Sequence, residues 1–255
     1  MRERWAILLG VIVALSPRAL RAGPLFEPTD LEMEKTGWLD VDLQVGPTRA
    51  ETWRMVIPDL EVDLGLWPTV ELDLDAAYAV EANDPNRFTL DHPAPDNVWI
   101  AAKLGLGDWR AEGSTHAWGA GLQLGPKVPV ARDAHGAGYE ALFLLGYTWG
   151  ENHIVLNLGG RVDPGAQPGG KRPVAAEGGL DLDLESGLRD VSVIGEIGTV
   201  LYFSPDPDEL HMTAGLKWSP SENLDLSVVG LVGFLPGGDQ LGLLLGASPK
   251  FQLWR

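Results

Sequence analysis

The sequence predicts an all-β fold, an antiparallel up-and-down transmembrane β-barrel of about twelve strands. Three observations predict it. Apolar residues recur with a period of two along nearly the whole chain, and that period sends successive side chains to opposite faces of a strand. The periodic segments run to about 10 to 15 residues, longer than ordinary globular strands and long enough to cross a membrane. Connections between them alternate between tight and long, with tryptophans gathered at the tight ends.

The N-terminus comes first. Arg2 and Arg4 precede the apolar run WAILLGVIVAL (Trp5 to Leu15), and small residues follow at Ala19 and Ala22. Eleven apolar residues cannot span about 30 Å of hydrocarbon as a helix, so residues 1–22 read as a cleaved signal peptide, with cleavage after Ala22. Residues 23–35, beginning GPLFEP, read as an extended lead-in, which could lie inside the barrel as a partial plug. Residues 36–255 read as the barrel itself.

Twelve segments then follow, at 36–46, 53–66, 69–80, 97–107, 116–130, 138–149, 152–162, 173–184, 190–203, 209–218, 223–234 and 240–254. Pro- and Gly-rich punctuation falls between them, where turns belong. One face is aliphatic, as in Leu60, Val62 and Leu64, in Val70, Leu72 and Leu74, or in Leu241, Leu243 and Leu245. The opposite face is acidic or small. Its acids are Asp40, Asp42, Glu61, Asp63, Glu71, Asp73, Asp75, Glu177, Asp181, Asp183, Glu196 and Asp225, with Lys103, Arg161, Lys217 and Lys250 as their basic counterparts. Apolar-out and polar-in is the pattern of a transmembrane barrel. A soluble sandwich or barrel alternates too, with the leucines turned inward.

Connection lengths and tryptophans help to separate the two, although the connections after the first, fourth and eleventh segments do not discriminate. WPT, GEN, ESGL and PSEN are tight, whereas ANDPNRFTLDHPAPD, ARDAHGA, DPGAQPGG and SPDPD are longer. Outer-membrane barrels keep short turns on the periplasmic side and long loops outside. Trp38, Trp67, Trp109, Trp149, Trp218 and Trp254 then fall at the periplasmic rim, where amphipathic indoles form a girdle at headgroup level. The C-terminus departs from the usual outward aromatic ending: Phe251 and Leu253 lie on the apolar face, but Trp254 and Arg255 follow.

Composition narrows the partners. The formal charge is −17, and loss of residues 1–22 removes four arginines and one glutamate, leaving −20. Such a chain repels nucleic acid and anionic headgroups. With no cysteine, a disulfide framework, a thiolate metal site and a lipidated N-terminal cysteine are all excluded. The five histidines are scattered, and His153 and His211 have no serine near them in sequence, so no catalysis is expected. No cofactor or metal is expected either. The acidic loops DPNRFTLDHPAPD and SPDPDEL lack the spacing of a calcium-binding repeat.

Two hairpins carry a resemblance. LEVDLGLWPTVELDLDAAYAV (Leu60 to Val80) and LHMTAGLKWSPSENLDLSVVGLVGF (Leu210 to Phe234) resemble hairpins of the bacterial outer-membrane family named for the MetA pathway of phenol degradation. The resemblance implies a transporter-like barrel that passes small aromatic or hydrophobic solutes, and it carries no binding residue over. The expectation is therefore a passive channel in the outer membrane of a Gram-negative bacterium. Its partners would be membrane lipid, small solutes and, during biogenesis, the barrel-assembly machinery. Rings of carboxylates in such a channel favour cations over anions. The alternatives are a non-conducting structural or binding barrel and a soluble periplasmic β protein with an apolar ligand.

Overall fold

In the computed structural model, residues 33–82, 90–110 and 114–254 are described. The signal peptide expected at 1–22 and the lead-in up to residue 32 lie outside them. Every regular element among the described residues is a β-strand: β1 (Trp38–Arg49), β2 (Trp53–Trp67), β3 (Val70–Ala82), β4 (Leu90–Pro95), β5 (Val98–Arg110), β6 (His116–Val128), β7 (Gly138–Trp149), β8 (Asn152–Val162), β9 (Val174–Glu185), β10 (Val191–Tyr202), β11 (Glu209–Ser221), β12 (Leu224–Gly233) and β13 (Leu241–Gln252). All pairings are antiparallel. β13 pairs with β1, β1 with β2, and β2 with β3, so the sheet closes on itself and twelve of the strands form a barrel.

β4 is the extra strand, within a stretch that sequence reasoning treats as a connection. β5 pairs with β3 only as far as the Asp75–Trp99 partners, and β4 takes over the remainder of β3 from Tyr78 to Ala82. Pro93 and Pro95 fall within β4. Proline has no N–H to give to a ladder and is tolerated at a sheet edge, which is where β4 sits.

The barrel is inverted relative to a water-soluble protein. Leu158, Ile197, Leu243 and Leu245 are 45 to 56% exposed, while Glu71 and Gln123 are 1% and Asn157 and Glu196 are 2% exposed. In water the hydrophobic effect would drive the leucines inside and leave the charges out. An apolar outer belt around a polar interior is stable where the surroundings are hydrocarbon, and closure pairs the twelve barrel strands there, with β4 alone among the described residues left at an edge. The protein is a transmembrane β-barrel.

Its two rims differ as the loop pattern predicts. One rim carries the connections 68–69, 150–151, 186–190 and 222–223, and the other carries 129–137, 163–173, 203–208 and 234–240 together with the short 50–52. Gly150 sits at φ +61° in one tight turn, a left-handed conformation that glycine adopts without a Cβ clash. The β1–β13 seam also depends on a glycine. A Cβ on Gly46 would run into the Leu243 carbonyl oxygen, so a larger residue would push β1 away from β13.

Candidate functional site: the acidic inner wall

Strand register builds the wall. Asp42 is opposite Glu61 and Asp40 opposite Asp63 in the β1–β2 ladder. In the β2–β3 ladder, Glu61 is opposite Asp75 and Asp63 opposite Asp73. Two rows of carboxylates therefore cross three neighbouring strands. The Asp40–Asp63–Asp73 row begins at Lys250 on β13. One step along β3, Glu71 is opposite Lys103, which is itself opposite Gln123.

The partners of these acids divide them. Lys103 Nζ lies 3.0 Å from Glu71 Oε1, and Gln123 Nε2 donates to Asp73 Oδ2 at 2.7 Å. Lys250 Nζ is 2.8 Å from Asp40 Oδ2 and 3.0 Å from Glu34 Oε1. The Glu34 N–H donates to Glu71, and a Cβ on Gly65 would run into the Glu34 and Lys35 carbonyls. Glu34 and Lys35 thus cross the inner face of β2 just before β1 begins. Asp42, Glu61, Asp63 and Asp75 are half-buried. This wall brings seven of the expected acids together against Lys103 and Lys250.

Glu177, Asp181, Asp183 and Glu196 lie elsewhere, on β9 and β10, among cations. Arg161 reaches Asp163, Glu177 and Glu209 at 3.4, 3.7 and 3.9 Å. Lys217 pairs with Asp183, and His211 Nε2 lies 2.8 Å from Glu196 Oε1. Asp181 is opposite Glu196, while Asp225, on β12, is half-buried and opposite Ser248. His153 Nδ1 contacts Thr148 Oγ1 at 3.2 Å. In the SPDPD connection, Ser204 donates to Asp206 at 2.6 Å, and Asp208 accepts from the Tyr202 N–H at 2.8 Å.

Sequence reasoning missed several buried interior charges. Lys127 pairs with Glu140, and Arg54 Nη2 meets Asp239 Oδ2 at 2.6 Å. Strict alternation from Glu61 puts Arg54 on the lipid face. A register shift between Val56 and Asp59 inserts a bulge, and both halves of β2 then present charge inward. The interior also has apolar patches: Trp99, Ala101, Leu142 and Leu144 form one, and Val56, Ala79, Leu231 and Leu244 form another.

The tryptophans expected at one rim all fall at the short-turn ends of their strands. Trp67, Trp109, Trp218 and Trp254 are exposed, and Trp38 and Trp149 are half-buried. Trp118 joins them. Its ring lies 4.6 Å from that of Tyr147, which lies 5.5 Å from Trp149.

No family model matches the sequence, and no curated protein matches it. Among solved structures the chain is similar to an outer membrane channel from Pseudomonas putida F1, with a TM-score of 0.60 and 13% identity, over 89% of this chain and 100% of that one. It is similar at a TM-score of 0.45 to the translocator domain of the autotransporter NalP from Neisseria meningitidis, with 11% identity over 87% and 91% of the two chains. For the outer membrane channel DcaP of Acinetobacter baumannii the TM-score is 0.40, with 9% identity over 84% and 96%. The first likeness is one of fold and extends over the whole barrel.

Proposed function

We propose that this barrel is a passive outer-membrane channel for small solutes, neutral or cationic, with its tryptophan-bearing short-turn rim toward the periplasm. The observation that carries this reading is the inner wall of β1–β3, where carboxylates outnumber the cations beside them inside a barrel whose outer surface is apolar. Fixed negative charge in a narrow wet passage concentrates cations and repels anions. The hairpin resemblance extends the solute class to small aromatic compounds. An interior patch containing Trp99, Leu142 and Leu144 supports that extension.

A non-conducting barrel is the second reading, favoured by the near-complete burial of Glu71, Gln123 and Asn157 in the interior. Planar-bilayer recording separates the two. The channel reading expects discrete conductance steps and, in a salt gradient, a reversal potential of the sign set by cation preference. That preference should shrink in Asp73→Asn combined with Asp183→Asn. A folded protein that inserts without conductance removes the channel reading in favour of the second. Conductance with no cation preference removes the role given to the acidic wall.

A further inference from the structure

We propose that Asp63, Glu71 and Asp73 form a binding site for a hard divalent cation of the calcium class on the inner wall of the barrel, with Asp42 and Glu61 as neighbouring ligands. One carboxylate oxygen from each of Asp63, Glu71 and Asp73 lies within 4.8 Å of the other two, and Asp42, Glu61 and Asp63 form a second such group through the shared Asp63.

Acidic residues gather on many polar walls, but this one also holds an orphaned acceptor. Asp73 is 3% exposed, and its Oδ2 is taken by Gln123 while its Oδ1 has no hydrogen-bond partner among the described residues. Asp63 Oδ1, directly across the ladder, is also buried and without a partner. Two like charges directly opposite on neighbouring strands repel, and a buried carboxylate oxygen without a donor is costly. Either a shared proton or a cation between them relieves both problems.

Charge and ligand chemistry favour the cation. Lys103 neutralises one of the three central carboxylates through Glu71, which leaves −2 for a divalent ion there, and Asp42 and Glu61 add further negative charge beside it. The donors are carboxylate oxygens throughout, and the chain has no cysteine, which suits calcium and disfavours zinc. Carboxylates on three flat strands also give a loose oxygen shell. Calcium accepts that geometry more readily than magnesium, which demands a near-ideal octahedron.

The site is independent of conduction, and its test needs none. The full-length mature protein, folded in detergent and stripped with EDTA, is titrated with calcium chloride by equilibrium dialysis or calorimetry. Wild type should bind calcium saturably with Kd in a range of about 10⁻⁴ to 10⁻³ M or tighter, and magnesium should compete poorly. Asp63→Asn and Asp73→Asn should each weaken binding about tenfold or more. Asp63→Asn leaves the Gln123 and Lys103 contacts untouched, and heat-dependent migration on SDS gels verifies that each variant is folded. Absence of saturable calcium uptake by the stripped wild type, the outcome expected of a shared proton, overturns the proposal. Undiminished affinity in both folded variants overturns it equally.

Discussion

Replacing Lys103 by methionine isolates the electrostatics of the inner wall. The Lys103 ammonium is 3.0 Å from Glu71 Oε1, and the two side chains are 5% and 1% exposed. At that separation and an effective dielectric constant of about 20, the Coulomb attraction is roughly 5 to 6 kcal/mol. Much of it offsets the cost of taking both ions out of water. Loss of one partner is a different matter, because it leaves Glu71 buried and uncompensated near Asp63 and Asp73, and such losses cost about 3 to 5 kcal/mol. Lys103→Met should therefore lower the unfolding free energy by about that amount. Removing both charges, in Glu71→Gln with Lys103→Met, should restore more than half of it. The assay is urea unfolding of the barrel in lipid vesicles, followed by tryptophan fluorescence and by the band shift on unheated gels. A loss below about 1 kcal/mol in the single variant, or a double variant no more stable than the single one, refutes the claim that the pair is buried and coupled.

Three further outcomes follow from the same structure. Ile197 is exposed on the outer face near the middle of β10. Ile197→Arg should cost about 2 to 4 kcal/mol in vesicle-based unfolding, and a change below about 0.5 kcal/mol places that face in water. Asp239→Asn weakens the clamp that Arg54 makes between β2 and the 234–240 connection. It should cost about 1.5 to 3 kcal/mol and speed protease cleavage within 234–240; unchanged cleavage would show that the clamp does not hold the loop. Gly46→Ala drives a Cβ into the Leu243 carbonyl across the β1–β13 seam. It should sharply reduce the yield of the heat-modifiable form, and a normal yield means that the seam is looser than described.

Much of the barrel is legible in the sequence because lipid on one side and polar groups on the other impose a strict period of two. The VELDLDAAY stretch shows it: Leu72 is exposed, while Glu71 and Asp73 are buried. Tight turns such as 68–69 then fix which strands are neighbours. What the period does not encode is where it breaks. The bulge between Val56 and Asp59 moves Arg54 to the inside; its local marks are the unbroken apolar run from Met55 to Ile57 and Pro58, which inside a strand is confined to edges and bulges. β4 is missed for a related reason, since its prolines read as loop and its pairing exists only because β3 outruns β5. Leu142 and Leu144 read as ordinary aliphatics, yet they point inward from a β7 whose outer face holds Phe143 and Tyr139. The acidic wall itself was visible residue by residue. Which acids face one another was not, because the Asp63–Asp73 and Asp42–Glu61 partners depend on register, and a shift of two residues would pair Asp63 with Glu71 or Asp75 instead without disturbing either face.

The claim beneath all of this is a closed barrel with its apolar face outward, and electrophoresis of the membrane fraction with and without boiling tests it most directly. Such a barrel sediments with membranes, stays compact in cold SDS and migrates anomalously until heated. A detergent-free soluble protein that shows no heat-dependent shift would contradict it, and would turn the leucine face toward an interior core.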